Sequence, residues 1–361
     1  MTEREALLVL NAVPDLGAVR IRKLMALFGG AQAVLGAGRE QLALSKLLSL
    51  ELVTNILNFS KDKFLQDEYN LMQRKGIVAL TAVEENFPGS LNGFDDAPVV
   101  LYLKGRMEVL HQPSVALVGS RAASFYGCRS AKFFARTFVE AGLTVVSGLA
   151  RGIDTASHQG ALEADGTTVA VIGCGFNHMY PKENIPLMER ISSQGCVVSE
   201  FAFSMPPLKH NFPWRNRIIS GLSRATVVIE AGLRSGALIT ADYAQAQHKD
   251  VFVLPSNIDN EHGLGSNQLI RDGACMALTP DDVLARIMGE HRPFSGGQDQ
   301  KVVLLSDEQS RVYPCIGSAP VHLDELVQET GFDISRLINI ALSLELKHLI
   351  RQLPGQYYVR K

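Results

Sequence analysis

Between residues 106 and 289 the chain alternates short, almost continuously apolar runs with longer amphipathic stretches. The runs are Val115–Val118, Thr144–Val146, Thr168–Ile172, Cys196–Ser199, Thr226–Ile229 and Val251–Leu254. A strand buried on both faces has no polar side, so it reads as an unbroken hydrophobic run rather than an alternating one. Strand, helix, strand in repetition brings successive strands back parallel through crossovers. The region is therefore expected to be an α/β domain built on a doubly wound parallel sheet. In such sheets ligands bind beyond the carboxyl ends of the strands, so the loops after the runs carry the functional reading.

The flanks differ in pattern. Residues 1–105 read as a helical domain, with Leu7, Leu8, Leu10, Ile21, Leu24, Met25 and Leu27 at helical spacing and Pro14 and Gly17 marking a tight turn. Further helices are expected near residues 39–48 and 50–75, and short strands at Val78–Thr81 and Val99–Leu103 lead onward. A polar linker at 290–300 precedes residues 301–361, which read helix, helix, helix, hairpin. The pieces are His322–Glu329, an apolar Ile334–Leu349, and two extended arms around Pro354-Gly355, in the order of a winged helix.

Charge and cysteines exclude several classes. Lys plus Arg number 35 against 37 Asp plus Glu, a net charge of −2, so any polyanion site must be a local concentration of positive charge. The five cysteines are scattered and form no CxxC pair, which argues against structural zinc and a disulfide framework and fits a cytoplasmic protein. No signal-peptide pattern is present, and no apolar stretch is long enough to span a membrane. Neither GxGxxG nor a phosphate-loop lysine motif occurs after a strand, so no nicotinamide, flavin or nucleotide cofactor is expected.

After the first run comes Gly119-Ser120-Arg121. A glycine permits close backbone approach, a serine hydroxyl donates, and an arginine fork matches phosphate oxygens. The same residues suit an ordinary strand–helix turn with a surface arginine. After the second run, Ser147 to Asp154 carries Arg151 as another phosphate candidate, with Asp154 expected as a helix N-cap and His158 as a structural or surface histidine. Cys174, after the third run, reads as a small buried hydrophobe. After the fourth, Glu200 to Arg217 reads as a long connection in which Lys209, Phe212, Trp214, Arg215, Asn216 and Arg217 interleave rings, cations and an amide. That is the composition of a single-strand platform, although Trp214 is expected to fill core. After the fifth, Ser235-Gly236 opens a helix whose amides point at the same crevice as Gly119 to Arg121.

Val118-Gly119-Ser120-Arg121, Ser147 to His158, Tyr180-Pro181, Ser199-Glu200, Phe212-Pro213 with Arg215-Asn216-Arg217, and Glu230-Ala231 with Ser235-Gly236 together resemble the DNA-processing protein A family, also called DprA or Smf. The resemblance implies an extended Rossmann-like core, flanked by an N-terminal helical domain of SAM or helix-hairpin-helix type and a C-terminal winged helix. It implies a non-enzymatic recombination mediator that binds and protects incoming single-stranded DNA during natural transformation and loads the RecA recombinase onto it. A homodimer through the Rossmann-like domain, near Asn267 to Gly273, is implied as well. Residues and resemblance together give an expected DNA-binding set of Gly119, Ser120, Arg121, Arg151, Lys209, Phe212, Arg215, Asn216, Arg217, Ser235 and Gly236.

Two features depart from a DNA reader. Asp15 occupies the turn of the first helical pair, where a carboxylate repels phosphate. Residues 301–361 hold seven Lys plus Arg and seven Asp plus Glu, so the winged helix is expected to serve protein contacts rather than grip a duplex. The competing class is a nucleotide-processing hydrolase of a related fold, with Glu200 and Glu230 as its carboxylates; their alternative roles are bonds to loop amides or pairing with Arg215 or Arg217. A duplex-binding transcription regulator would rest on the winged helix alone.

Overall fold

The computed structural model describes residues 1–289, 305–317, 319–347 and 349–360; the linker expected at 290–300 lies outside them. The described residues fall into two compact units, one of 1–123 with 127–289 and the other of 124–126 with those from 305 to 360.

The larger unit opens with α1 (Glu3–Ala12), α2 (Gly17–Phe28), α3 (Ala31–Gly36), α4 (Arg39–Leu44), α5 (Leu50–Asn58) and α6 (Lys61–Lys75). At the start of α1 the Thr2 hydroxyl accepts from the Glu5 amide and the Glu5 carboxylate accepts from the Thr2 amide, a reciprocal cap. Ala6 to Leu10 are all buried, so α1 is enclosed on every side. The helix expected at 39–48 stops at Leu44, and the one expected at 50–75 breaks at the extended Phe59, where α5 ends and α6 begins afresh.

The strands are β1 (Val78–Thr81), β2 (Val100–Gly105), β3 (Ser114–Val118), β4 (Thr144–Ser147), β5 (Thr168–Val171), β6 (Cys196–Ser199), β7 (Ala225–Val228), β8 (Asp250–Val253) and β9 (Cys275–Met276). They form one nine-stranded sheet in the order β1-β2-β6-β5-β4-β3-β7-β8-β9. From β6 to β9 every pairing is parallel, while β1 and β2 make an antiparallel edge. Between strands run α7 (Phe125–Glu140), α8 (Ile153–Glu163), α9 (Ile185–Gln194), α10 (Asn211–Leu222), α11 (Gly236–Ala246) and α12 (Leu264–Arg271), and α13 (Pro280–Met288) follows β9. The chain winds outward from β3 through β6, then returns to β7 on the other side of β3. Two adjacent crossovers therefore leave in opposite directions at β3 and β7, which opens a crevice at their carboxyl ends.

The N-terminal helices share one core with the sheet. On β2, Val100 and Tyr102 join the apolar cluster that holds Leu7, Leu10 and Ile21, while Leu101 and Leu103 join the cluster on the opposite face with Ile218 and Val228. This is the two-residue alternation of a strand covered on both sides. The segment from Glu200 to Arg217 is not one long connection: α10 begins at Asn211, with Pro213 in its first turn, where a missing amide does no harm.

The smaller unit contains α14 (Asp307–Val312), β10 (Val321–His322), α15 (Leu323–Thr330), α16 (Ile334–Leu346), β11 (Ile350–Leu353) and β12 (Tyr357–Arg360). A three-stranded sheet in the order β10-β12-β11 packs with the helices around Leu326, Leu337, Ile340, Leu344 and Tyr358. This is a winged helix, with the expected hairpin present as β11 and β12.

Candidate functional site

At the switch point between β3 and β7 lies a crevice of about 920 Å³. Its rim and floor come from the loops after β3, β4 and β7 and from the start of α10.

The loop after β3 is held in place by its backbone. The Ser120 amide donates to Glu230 O at 2.6 Å, and the Ile153 amide donates to Ser120 O at 3.1 Å. These bonds tie the loop to the β7 end and to the start of α8. Gly119 is required here because a Cβ would stand 2.5 Å from Ile153 Cγ1 and 2.8 Å from Glu230 O. Gly152 is required beneath the loop: its φ is +73°, and a Cβ would strike the Ser120 and Arg121 carbonyls. The Ser120 hydroxyl accepts from the Ala122 amide at 3.1 Å, which leaves its proton free to donate to a ligand. Arg121 is exposed, with its guanidinium 5.3 Å from the centre of the half-buried Phe212 ring. Tyr180 meets the same ring edge-on at 5.5 Å. Cation and rings thus form one continuous wall.

Opposite stands the start of α11. The Ser235 hydroxyl caps it by accepting from the Ala237 amide at 3.3 Å, and Gly236 is exposed with nothing within 4 Å of its missing side chain. Lys209 is exposed just before α10. Asn216 locks the two helices together, donating to Gly236 O at 3.1 Å while its Oδ1 accepts from Arg215 Nε at 3.0 Å.

Arg215 lies in the floor, only 3% exposed. It donates to Gly148 O at 2.6 Å and also to Val171 O, so it pins the β4 loop to the end of β5. Burial pushes it down to about 10, and neighbouring Asp154 opposes that shift, so the floor stays positively charged at neutral pH. Burial raises the Asp154 carboxyl, with Arg215 opposing. Asp154 is not the N-cap of α8, a place taken by Gly152; its carboxylate instead accepts from the Ala150 amide at 3.3 Å, inside the first turn. The crevice lining holds Arg121, Lys209, Arg234 and Arg215 against the single carboxylate of Asp154.

Nine of the expected residues line this crevice: Gly119, Ser120, Arg121, Lys209, Phe212, Arg215, Asn216, Ser235 and Gly236. Two do not. Arg217 is 0% exposed and pairs with buried Glu200 at 2.5 Å, with Asp96 at 3.8 Å and the Trp214 ring centre 4.4 Å from its guanidinium. Two residues along α10 from Arg215, it points into the protein, and its charge is spent on Glu200. Arg151 stands outside the crevice in an exposed pair with Glu183. Burial corrects the expectation for Arg217, while Arg151 is exposed to solvent but outside the crevice lining. His158 is a structural histidine: its Nε2 accepts from the Leu149 amide at 3.3 Å, so its Nδ1 carries the proton, 2.7 Å from Thr168 Oγ1. Arg234 and His262 also line the crevice and were missed. Arg234 stands directly before the Ser235 cap in a loop already recognised, and its position after β7 was the available signal.

Similar proteins are known over most of the chain. Residues 78–288 match the family described as DNA recombination-mediator protein A, and residues 299–356 match the DprA winged helix domain. Protein Smf of Escherichia coli (strain K12) is 35% identical over 319 residues, covering 86% of this chain and 84% of that protein. The X-ray structure of DNA processing protein A from Streptococcus pneumoniae superposes with a TM-score of 0.69 at 34% identity, over 80% of this chain and 98% of that one. A structure describing the single-stranded DNA binding mode of DNA processing protein A from Helicobacter pylori gives a TM-score of 0.54 at 29% identity, over 59% of this chain and 96% of that one.

Proposed function

Because this chain belongs to the DNA recombination-mediator protein A family, we propose that its crevice holds single-stranded DNA and that the protein acts as a recombination mediator, not as an enzyme. The carrying observation is the wall in which Arg121, Phe212 and Tyr180 stand side by side across from the α11 start. Phosphates are gripped by Ser120, Arg121, Lys209, Arg234 and the α11 amides, and a base stacks on Phe212. Such contacts read no base edges, so sequence preference is weak.

The hydrolase alternative loses its acid–base groups. Glu200 is buried against Arg217, Glu230 is 2% exposed, and neither lines the crevice. In the mediator role the protein protects incoming DNA and loads RecA onto it in natural transformation. We place a homodimer contact along the α12 and β9 edge of the sheet, where Asn267 to Gly273 adjoin exposed Met276 and Leu278. Among the described residues no helix is long and apolar enough to cross a membrane.

The test is fluorescence anisotropy with oligo-dT, a matching duplex and free nucleotides at two salt concentrations. Wild type binds the single strand tightly and loses affinity with salt. Arg121→Ala weakens binding about tenfold or more, as expected for a charged hydrogen bond, and lowers the salt slope by about 0.7. Preference for the duplex, or nucleotide turnover, would sink the reading.

A further inference from the structure

A second groove, of about 440 Å³, lies between the start of α2 and the start of α10. Arg20, Lys23, Lys46, Leu47 and Trp214 line it together with the turn at residues 16–19, and none of its lining residues is a carboxylate. The three cations are exposed. Arg20 is steered by a bond from its guanidinium to the Asp15 carbonyl at 3.1 Å. The nearby Asp15 carboxylate is exposed at the turn but does not line the groove.

Trp214 is fixed from behind. Its ring rests on the buried Arg217 guanidinium at 4.4 Å, and its indole helps Arg217 hold Glu200 against the upward push of burial. The remaining part of this half-buried ring faces the groove. An aromatic plane held in advance and ringed by cations is a stacking platform for a polyanion, since little side-chain freedom is lost when a base lands on it. In a protein of net charge −2 this is a local positive field, not a general one.

We propose that this groove is a second contact for the same DNA strand, which leaves the crevice over the first turn of α10 and continues across Trp214 to Lys23 and Lys46. The inference rests on the crevice reading. Continuity favours a strand over an acidic peptide: Phe212 and Pro213 line the crevice and the next residue, Trp214, lines the groove. A ligand with phosphates at regular intervals engages both; a short peptide has no reason to.

The experiment compares wild type, Lys23→Gln/Lys46→Gln and Arg121→Ala with oligo-dT of about 6 and about 20 nucleotides, within and beyond the reach of one such site. Trp214, the only tryptophan of the chain, serves as an internal reporter. The expected result is that the double variant binds the short oligomer like wild type and the long one about tenfold more weakly. Its salt slope on the long oligomer falls by about 1.4, two contacts at ~0.7 each. The long oligomer quenches Trp214 emission in wild type and not in the double variant. Unchanged affinity and quenching at both lengths, or equal weakening at both, overturns the groove. If instead wild type fails to bind the short oligomer, or Arg121→Ala changes nothing, the crevice reading fails first.

Discussion

Arg215 and Arg217 are neighbours in sequence and opposites in role. About half a turn of α10 separates them, which sends Arg215 to the crevice floor and Arg217 into the layer beneath, onto Glu200. Removing one partner of a buried pair strands the other charge, so Arg217→Ala is expected to cost about 3–5 kcal/mol in urea denaturation. Replacing both members, as Glu200→Leu/Arg217→Met, should recover most of that loss. His158 gives a pH signature. Burial, helped by Arg215, pushes it down to about 3, while an unfolded histidine titrates near ~6.5. Between these values the unfolded chain takes up a proton that the folded chain refuses. Stability therefore falls as pH drops from about 6.5, by up to ~1.4 kcal/mol per unit. His158→Gln should make this slope shallower by about one proton, although the variant is less stable at neutral pH because the Leu149 amide and Thr168 lose a partner.

At the scale of elements, α10 shows how composition misleads about a helix, while α16 is the apolar helix its composition foretold. The start of α10 is rich in rings, cations and proline and reads as a loop; it is helical because Ile218, Ile219 and Leu222 bury behind it. In the winged helix, α16 is the element that would read a duplex, yet its outward positions Ile334, Ile338, Leu342 and Leu346 are exposed and apolar, four residues apart. Its Arg336 is engaged by Glu308. With so little free positive charge, Ile338→Glu/Leu342→Glu in the full chain should change duplex affinity by less than about twofold, because counterion release is not what this face supplies. Anisotropy with a fluorescent duplex checks it.

At the scale of the molecule, the helical region and the sheet are a single unit because β1 and β2 carry the chain out of the helices and into the sheet edge. The far edge is β9, two residues long, with Met276 and Leu278 exposed at 52% and 62%. An unpaired edge with apolar side chains invites a partner. Met276→Glu/Leu278→Glu should shift a homodimer to monomer in sedimentation velocity while leaving oligo-dT of about 6 nucleotides bound as before. A dimer that survives the change places the contact elsewhere.

The sequence by itself determined the parallel sheet, because doubly buried strands have no polar face to confuse the pattern, and it marked the crevice loops, because glycines stand where these loops pack closely on one another and a capping serine where a helix opens. It also held the blocks that mark the family. Tertiary structure alone decided which arginines face the crevice. Arg215 and Arg217 have the same chemistry, and only the rotation of α10, set by what packs behind it, gives one to the crevice and the other to Glu200. It likewise decided that Trp214, expected in the core, keeps part of its ring in a groove, since the cations around it come from α2 and Lys46, far away in the chain.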